Sequence, residues 1–189
     1  MEITRKTNET KIRLSVSLDG GKSSISTGIG FFDHMLTAFS VHGGFGINLH
    51  SDGDLNVDGH HTVEDVGIVL GQVFNELLGD KSGIVRFGHA VIPMDESLCE
   101  CTVDISNRPY LVFNAEFTGG CAGEFDLCLT KEFFYALCMK SGITMHINVP
   151  YGENDHHKCE AIFKAAAHAL RKAVQKSDCE SVLSSKGML

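Results

Sequence analysis

DGHHTVED, residues 58–65, has a counterpart in NDHHKCE, residues 154–160: each sets two adjacent histidines ahead of a glutamate. On a helix, side chains three or four residues apart share a face, whereas adjacent ones diverge by about 100°. Glu64 lies four residues after His60 and three after His61, and Glu160 stands the same way to His156 and His157. Each motif can therefore pair its glutamate with one histidine and aim the other elsewhere.

Working outward, the positions Val63, Val66, Leu70, Val73, Phe74 and Leu77 keep helical spacing, so a helix starts near His60. Before the SDGDLNVDG loop, FGINLH (45–50) alternates like a strand. FFDHMLTAFSVHGG before it reads as a helix stopped by paired glycines. KIRLSVSL (11–18) places Ile12, Leu14, Val16 and Leu18 on one strand face, and SSISTGIG continues as a second strand and turn. The second half repeats this grammar. IVRFGHAVI, SLCECTVDIS and YLVFNAEF read as strands and LTKEFFYALCMKSG as a helix. ITMHINV follows as a strand, PYGEND as a loop, and a helix starts at His156. The order strand, helix, strand, HHxxE, helix occurs twice, which predicts an internal duplication of about ninety residues per half. The expected fold class is α+β: a βα repeat over 1–82 and another over 83–189, each a sheet packed on two helices, the two forming one body.

Composition excludes several functions. The net charge of −8, with no basic cluster longer than a pair, argues against nucleic acid as a partner. No run approaches a membrane span, and the N-terminus has no apolar stretch suited to a signal peptide. Seven cysteines without paired spacing read as reduced thiols of a cytoplasmic protein.

Clustering of the ten histidines points instead to metal. Two HHxxE motifs suit a site with two ions, each drawing ligands from both halves. If the halves face apart, those ligands meet across a subunit boundary. His146 points away from the apolar face of ITMHINV, and Asp33 could orient His34. His42 is expected to serve a helix C-terminus, and His50, His89 and His168 to be structural or surface residues. Histidine and carboxylate ligands without thiolates suit Mn, Fe, Co, Ni or Zn; Cys159 has no counterpart in the first motif and is not counted among them. Arg86 in GIVRFG, Arg108 in SNRPYL, and Ser184, Ser185 and Lys186 in the tail are candidates for holding a phosphate. A dinuclear hydrolase and a particle that uses metal only to assemble are the rival classes.

The chain resembles the imidazoleglycerol-phosphate dehydratase family. The resemblance rests on RKTNET, GFFDHML, DGHHTVEDVGI, GIVRFG, PMDESL, RPYL, GITMHI, HHKCEAIFKA and SSKGML, and runs from residue 5 to the C-terminus. It implies two tandem βα units and a manganese enzyme of histidine biosynthesis, with two Mn²⁺ ions per active site. The reaction implied is loss of water from imidazole glycerol phosphate to give imidazole acetol phosphate, through a metal-bound imidazolate and a diazafulvene-like intermediate. It also implies a 24-subunit homo-oligomer with sites between subunits. The implied metal ligands are His34, His60, His61, Glu64, His146, His156, His157 and Glu160. The implied substrate contacts are Glu9, Arg86, Arg108, Lys164, Ser184, Ser185 and Lys186. Glu9 is the expected catalytic base, with Asp95 in reserve. Ala38 replaces a glutamine common in the family, and Asn48 stands where many members have histidine.

Overall fold

A computed structural model describes residues 1–178 and 180–189. The first half contains β1 (Glu2–Lys6), β2 (Thr10–Ser17), β3 (Ser24–Ser26), α1 (Gly30–Gly43), β4 (Gly46–Gly53) and α2 (His60–Leu78). The second contains β5 (Phe87–Met94), β6 (Ser97–Ile105), β7 (Tyr110–Asn114), β8 (Cys121–Ala122), β9 (Phe125–Asp126), α3 (Leu129–Ser141), β10 (Ile143–Tyr151) and α4 (Asp155–Ala173). The sheets run β1-β2-β4-β3 and β5-β6-β10-β7, so the two halves have the same order. In each, two antiparallel pairings are followed by a parallel one: β3 beside β4, and β7 beside β10.

Strict alternation in β2 puts Ile12, Leu14 and Val16 on the helix side and Lys11, Arg13 and Ser17 in solvent. Each helix then has two neighbours. Helix α2 packs on β2 and on α3 of the other half, and α4 packs on β5, β6 and α1. The helices thus lie between the sheets, and one core spans both halves. Phe32 of α1 stacks on Phe125 at 5.6 Å and meets Phe133 of α3 edge-on at 5.4 Å. Phe133 in turn stacks on Phe163 of α4 at 5.3 Å. Helices α1 and α3 both end at a left-handed glycine, Gly44 and Gly142.

Two glycines of α2 let α3 approach. A Cβ on Gly71 would sit 2.5 Å from the Leu137 carbonyl oxygen, and one on Gly67 would sit 2.6 Å from that of Phe133. Alanine favours a helix by about 1 kcal/mol over glycine, but overpacking against backbone costs about 1–3 kcal/mol. Gly71→Ala is therefore expected to lower Tm, by roughly 2–4 °C per kcal/mol lost. A thermal melt at or above the wild-type value would show that the interface has slack.

The structure departs from the sequence reading in places. Strand β1 was not expected: EITRK carries one apolar side chain, Ile3, opposite Leu14, and is held by pairing with β2. Only Ser24–Ser26 of SSISTGIG is strand. Strand β5 starts at Phe87 because Arg86 has a left-handed backbone (φ 72°). Strand β7 stops at Asn114, short of the strand expected over YLVFNAEF, and β4 takes in Ser51–Gly53 of the expected loop. Among the described residues no helix is long and apolar enough to cross a membrane. The six described cysteines are unpaired, and burial pushes the thiols of Cys99, Cys138 and Cys159 up to about 12. Cys179 lies outside the described residues.

Candidate active site

Helix α1 packs on α4, and this brings His34 to the second HHxxE motif. His156 Nε2 lies 3.2 Å and His34 Nε2 3.5 Å from the same atom, Glu160 Oε2. Lys164, one turn further along α4, occupies the other oxygen, Oε1, at 2.6 Å. Burial works against the charge of Glu160, but Lys164, His156 and His34 hold its carboxyl below the ordinary range. The edge of Phe31 packs on His156, with ring centroids 5.0 Å apart. Among the described residues this is the one group of three whose ligand atoms all lie within 4.8 Å of one another. Two imidazole nitrogens and a carboxylate oxygen, with no thiolate, are a donor set that fits manganese.

The remaining expected ligands stand in separate places within the chain. His60 Nε2 is 3.9 Å from Glu64 Oε2, on the first turn of α2. His61 turns the other way: its Nδ1 donates to Asp54 at 3.0 Å, while Nε2 faces Glu9 Oε1 at 3.8 Å. His157 repeats the pattern, with Nδ1 donating to Glu96 at 2.7 Å and Nε2 facing Asp95 at 3.7 Å. The hydrogen bond to the carboxylate raises the imidazole pKa in both cases. Glu96 also accepts the backbone N–H groups of Glu153 and Asn154, and the bonds from Asn154 and from His157 hold its carboxyl far below the usual range. The two helices start differently, α2 at Gly59 with no side-chain cap. Asn154 caps α4 by accepting from the N–H groups of His156 and His157, and Asp58 accepts from that of His60.

His146 lies on the open face of the second sheet, in a shallow cavity of about 190 Å³ lined by Phe87, Thr102, Asp104 and Thr144. Asp104 grips Arg86 at 2.7 and 3.1 Å and reaches Arg108 at 3.5 Å. Arg86 also donates to the Leu183 carbonyl, which sets the tail with Ser184, Ser185 and Lys186 beside the arginines. Two guanidiniums against one carboxylate leave a positive site whose forks are already oriented.

Two expectations are corrected. Asp33 does not orient His34; its Oδ1 accepts from the backbone and hydroxyl of Thr27 at 2.8 and 2.6 Å, anchoring the start of α1. His42 does not cap its helix with its ring, because Nδ1 shares a hydrogen bond of 3.2 Å with His168 Nε2 across α1 and α4. Burial, then Lys164 and His168, lower its pKa. Cys159, which was not counted among the candidate ligands, is buried beside Thr130. Ala38 is buried in α1 and Asn48 is exposed on the open face of the first sheet. Sequence reasoning missed Asp54, Glu96 and Asp104. A search for an acceptor for the spare nitrogen of each histidine would have pointed to Asp54, which lies in the loop before its motif.

Comparison with known proteins gives the class first. Relatives of this chain are hydro-lyases, and the likeness spans nearly its whole length. A protein named imidazoleglycerol-phosphate dehydratase from Syntrophus aciditrophicus is 54% identical over 99% of this chain and 96% of its own. One of the same name from Acetivibrio thermocellus is 52% identical over 100% and 97%. The crystal structure of the dehydratase from Staphylococcus aureus superposes with a TM-score of 0.86 at 43% identity, covering 93% of this chain and 98% of that one. The structure of IGPD from Pyrococcus furiosus in complex with (S)-C348 also gives 0.86, at 39% identity, over 99% and 100%. The family model described as imidazoleglycerol-phosphate dehydratase matches residues 27–170. The chain belongs to the imidazoleglycerol-phosphate dehydratase family, and is an enzyme of histidine biosynthesis.

Proposed function

We propose that the chain converts imidazole glycerol phosphate to imidazole acetol phosphate in the cytoplasm, with two manganese ions per active site. The observation that carries this reading is the convergence of His34, His156 and Glu160 on one point, with Lys164 fixing which carboxylate oxygen faces it. Held by His34, His156 and Glu160, manganese would supply Lewis-acid stabilisation to a substrate ring that gives up its N–H proton. That proton would leave with the neighbouring hydroxyl as water, giving a diazafulvene-like ring; this matters because the C–H bond to be broken has no carbonyl beside it.

The chain's own residues do the rest. Glu9, in the β1–β2 turn, is held by its carbonyl, which accepts from the Asp54 N–H, and its side chain is half exposed. It is the base that takes the carbon-bound proton. Arg86 and Arg108, set by Asp104, hold the phosphate together with Ser184, Ser185 and Lys186. Lys164 lines the site through Glu160.

His146 and Arg86 both lie by Asp104, away from the His34 cluster, so the complete site takes one set from each of two chains in a homo-oligomer of 24 subunits. His34→Ala and His146→Ala proteins, each inactive, are expected to regain turnover when metal-stripped, mixed and given manganese. A mixture as inactive as its components would rule out sites shared between chains.

A further inference from the structure

We infer that Asp54 and Glu96 are the positioning residues of the two half-sites, each taking the Nδ1 hydrogen of the second histidine of its motif and so presenting Nε2 to a metal ion. The inference rests on the manganese reading above. An ionised carboxylate is only an acceptor, so its bond to Nδ1 fixes the tautomer in which Nε2 carries the lone pair. Both bonds are short, 3.0 Å for His61 and 2.7 Å for His157, and in both cases Nε2 is left facing open carboxylates rather than protein donors.

Duplication alone does not explain the match. Asp54 follows β4, whereas Glu96 stands in the β5–β6 turn, which corresponds in the first half to the β1–β2 turn carrying Glu9. The two halves therefore reach the same imidazole geometry with carboxylates from non-equivalent elements. A feature copied by duplication would come from equivalent positions; one rebuilt from different positions answers a requirement on the histidine itself. Around Nε2 the halves also agree, through Glu9 in one and Asp95 in the other, at 3.8 and 3.7 Å.

The two carboxylates differ in what else they do. Glu96 ties down the backbone of Glu153 and Asn154, so its loss would disturb a loop as well as a ring. Both side-chain oxygens of Asp54 face His61 Nδ1, at 3.0 and 3.2 Å, which makes it the cleaner position to change.

The test is a manganese titration of the assembled protein, reading free Mn²⁺ by its electron paramagnetic resonance signal. Asp54→Ala is expected to weaken one class of site by about 10–100-fold and to leave the other at wild-type affinity. Asp54→Glu should restore most of the loss, which a merely structural role would not predict. Glu96→Ala, checked for folding by circular dichroism, should weaken the other class. Wild-type affinity at both classes in Asp54→Ala and Glu96→Ala would overturn the inference while leaving the manganese reading standing. A wild-type protein that binds no manganese would overturn both.

Discussion

Glu160→Gln is expected to abolish turnover with manganese and to weaken manganese binding by more than the roughly 10–100-fold that outer-shell changes cost. The expectation follows from one atom. His34 and His156 approach the same Oε2, and Lys164 already holds Oε1, so no second carboxylate oxygen is free to replace it. An amide at this position is uncharged, and its nitrogen cannot serve as the missing donor. The loss should appear in metal affinity and in kcat/KM together, with the fold intact by circular dichroism. Turnover near wild type at saturating manganese would show that this cluster is not where the metal binds.

Glu9→Gln is expected to lower kcat by about 10²–10⁴-fold, the range for a positioned general base, with manganese affinity staying at the wild-type value. The two effects separate the roles open to Glu9. Its Oε1 lies 3.8 Å from His61 Nε2, close enough for a ligand to a shared ion as well as for a base. A ligand would lose affinity; a base would lose rate alone. If kcat were kept, the role would pass to Asp95, which faces His157 in the same way. Neither residue has a partner that closes it off from substrate: the side chains are 53% and 75% exposed.

The duplication was legible because each half writes it with strong signals: β2 and β10 alternate, α2 and α4 open on HHxxE, and α1 and α3 stop at glycine. The sheets' common order then follows from two strings of elements that match apart from the β8–β9 hairpin of the second. Strand β1 was not legible, since a charged edge strand with one inward apolar residue gains its structure from its neighbour and not from its own pattern. Hairpin β8–β9 is too short to carry a pattern.

In the site, the candidate ligands were named from spacing along one helix, but their meeting was not legible. His34 reaches Glu160 only through the packing of α1 on α4, a contact between halves. Asp54, Glu96 and Asp104 were silent for a further reason. An acidic residue in a loop or on a sheet face reads as a solvated charge until the imidazole or guanidinium opposite it is known. Asp33 shows the converse error, because a carboxylate adjacent in sequence turned out to serve Thr27.

The most direct test of the central claim is turnover of imidazole glycerol phosphate by metal-stripped protein as manganese is added back, with ketone product and inorganic phosphate assayed in the same sample. The account predicts no product without metal, ketone returning as manganese fills two sites per active site, and no phosphate released. Phosphate release would make the same ligands those of a hydrolase, and ketone formation at full rate without metal would contradict the account outright.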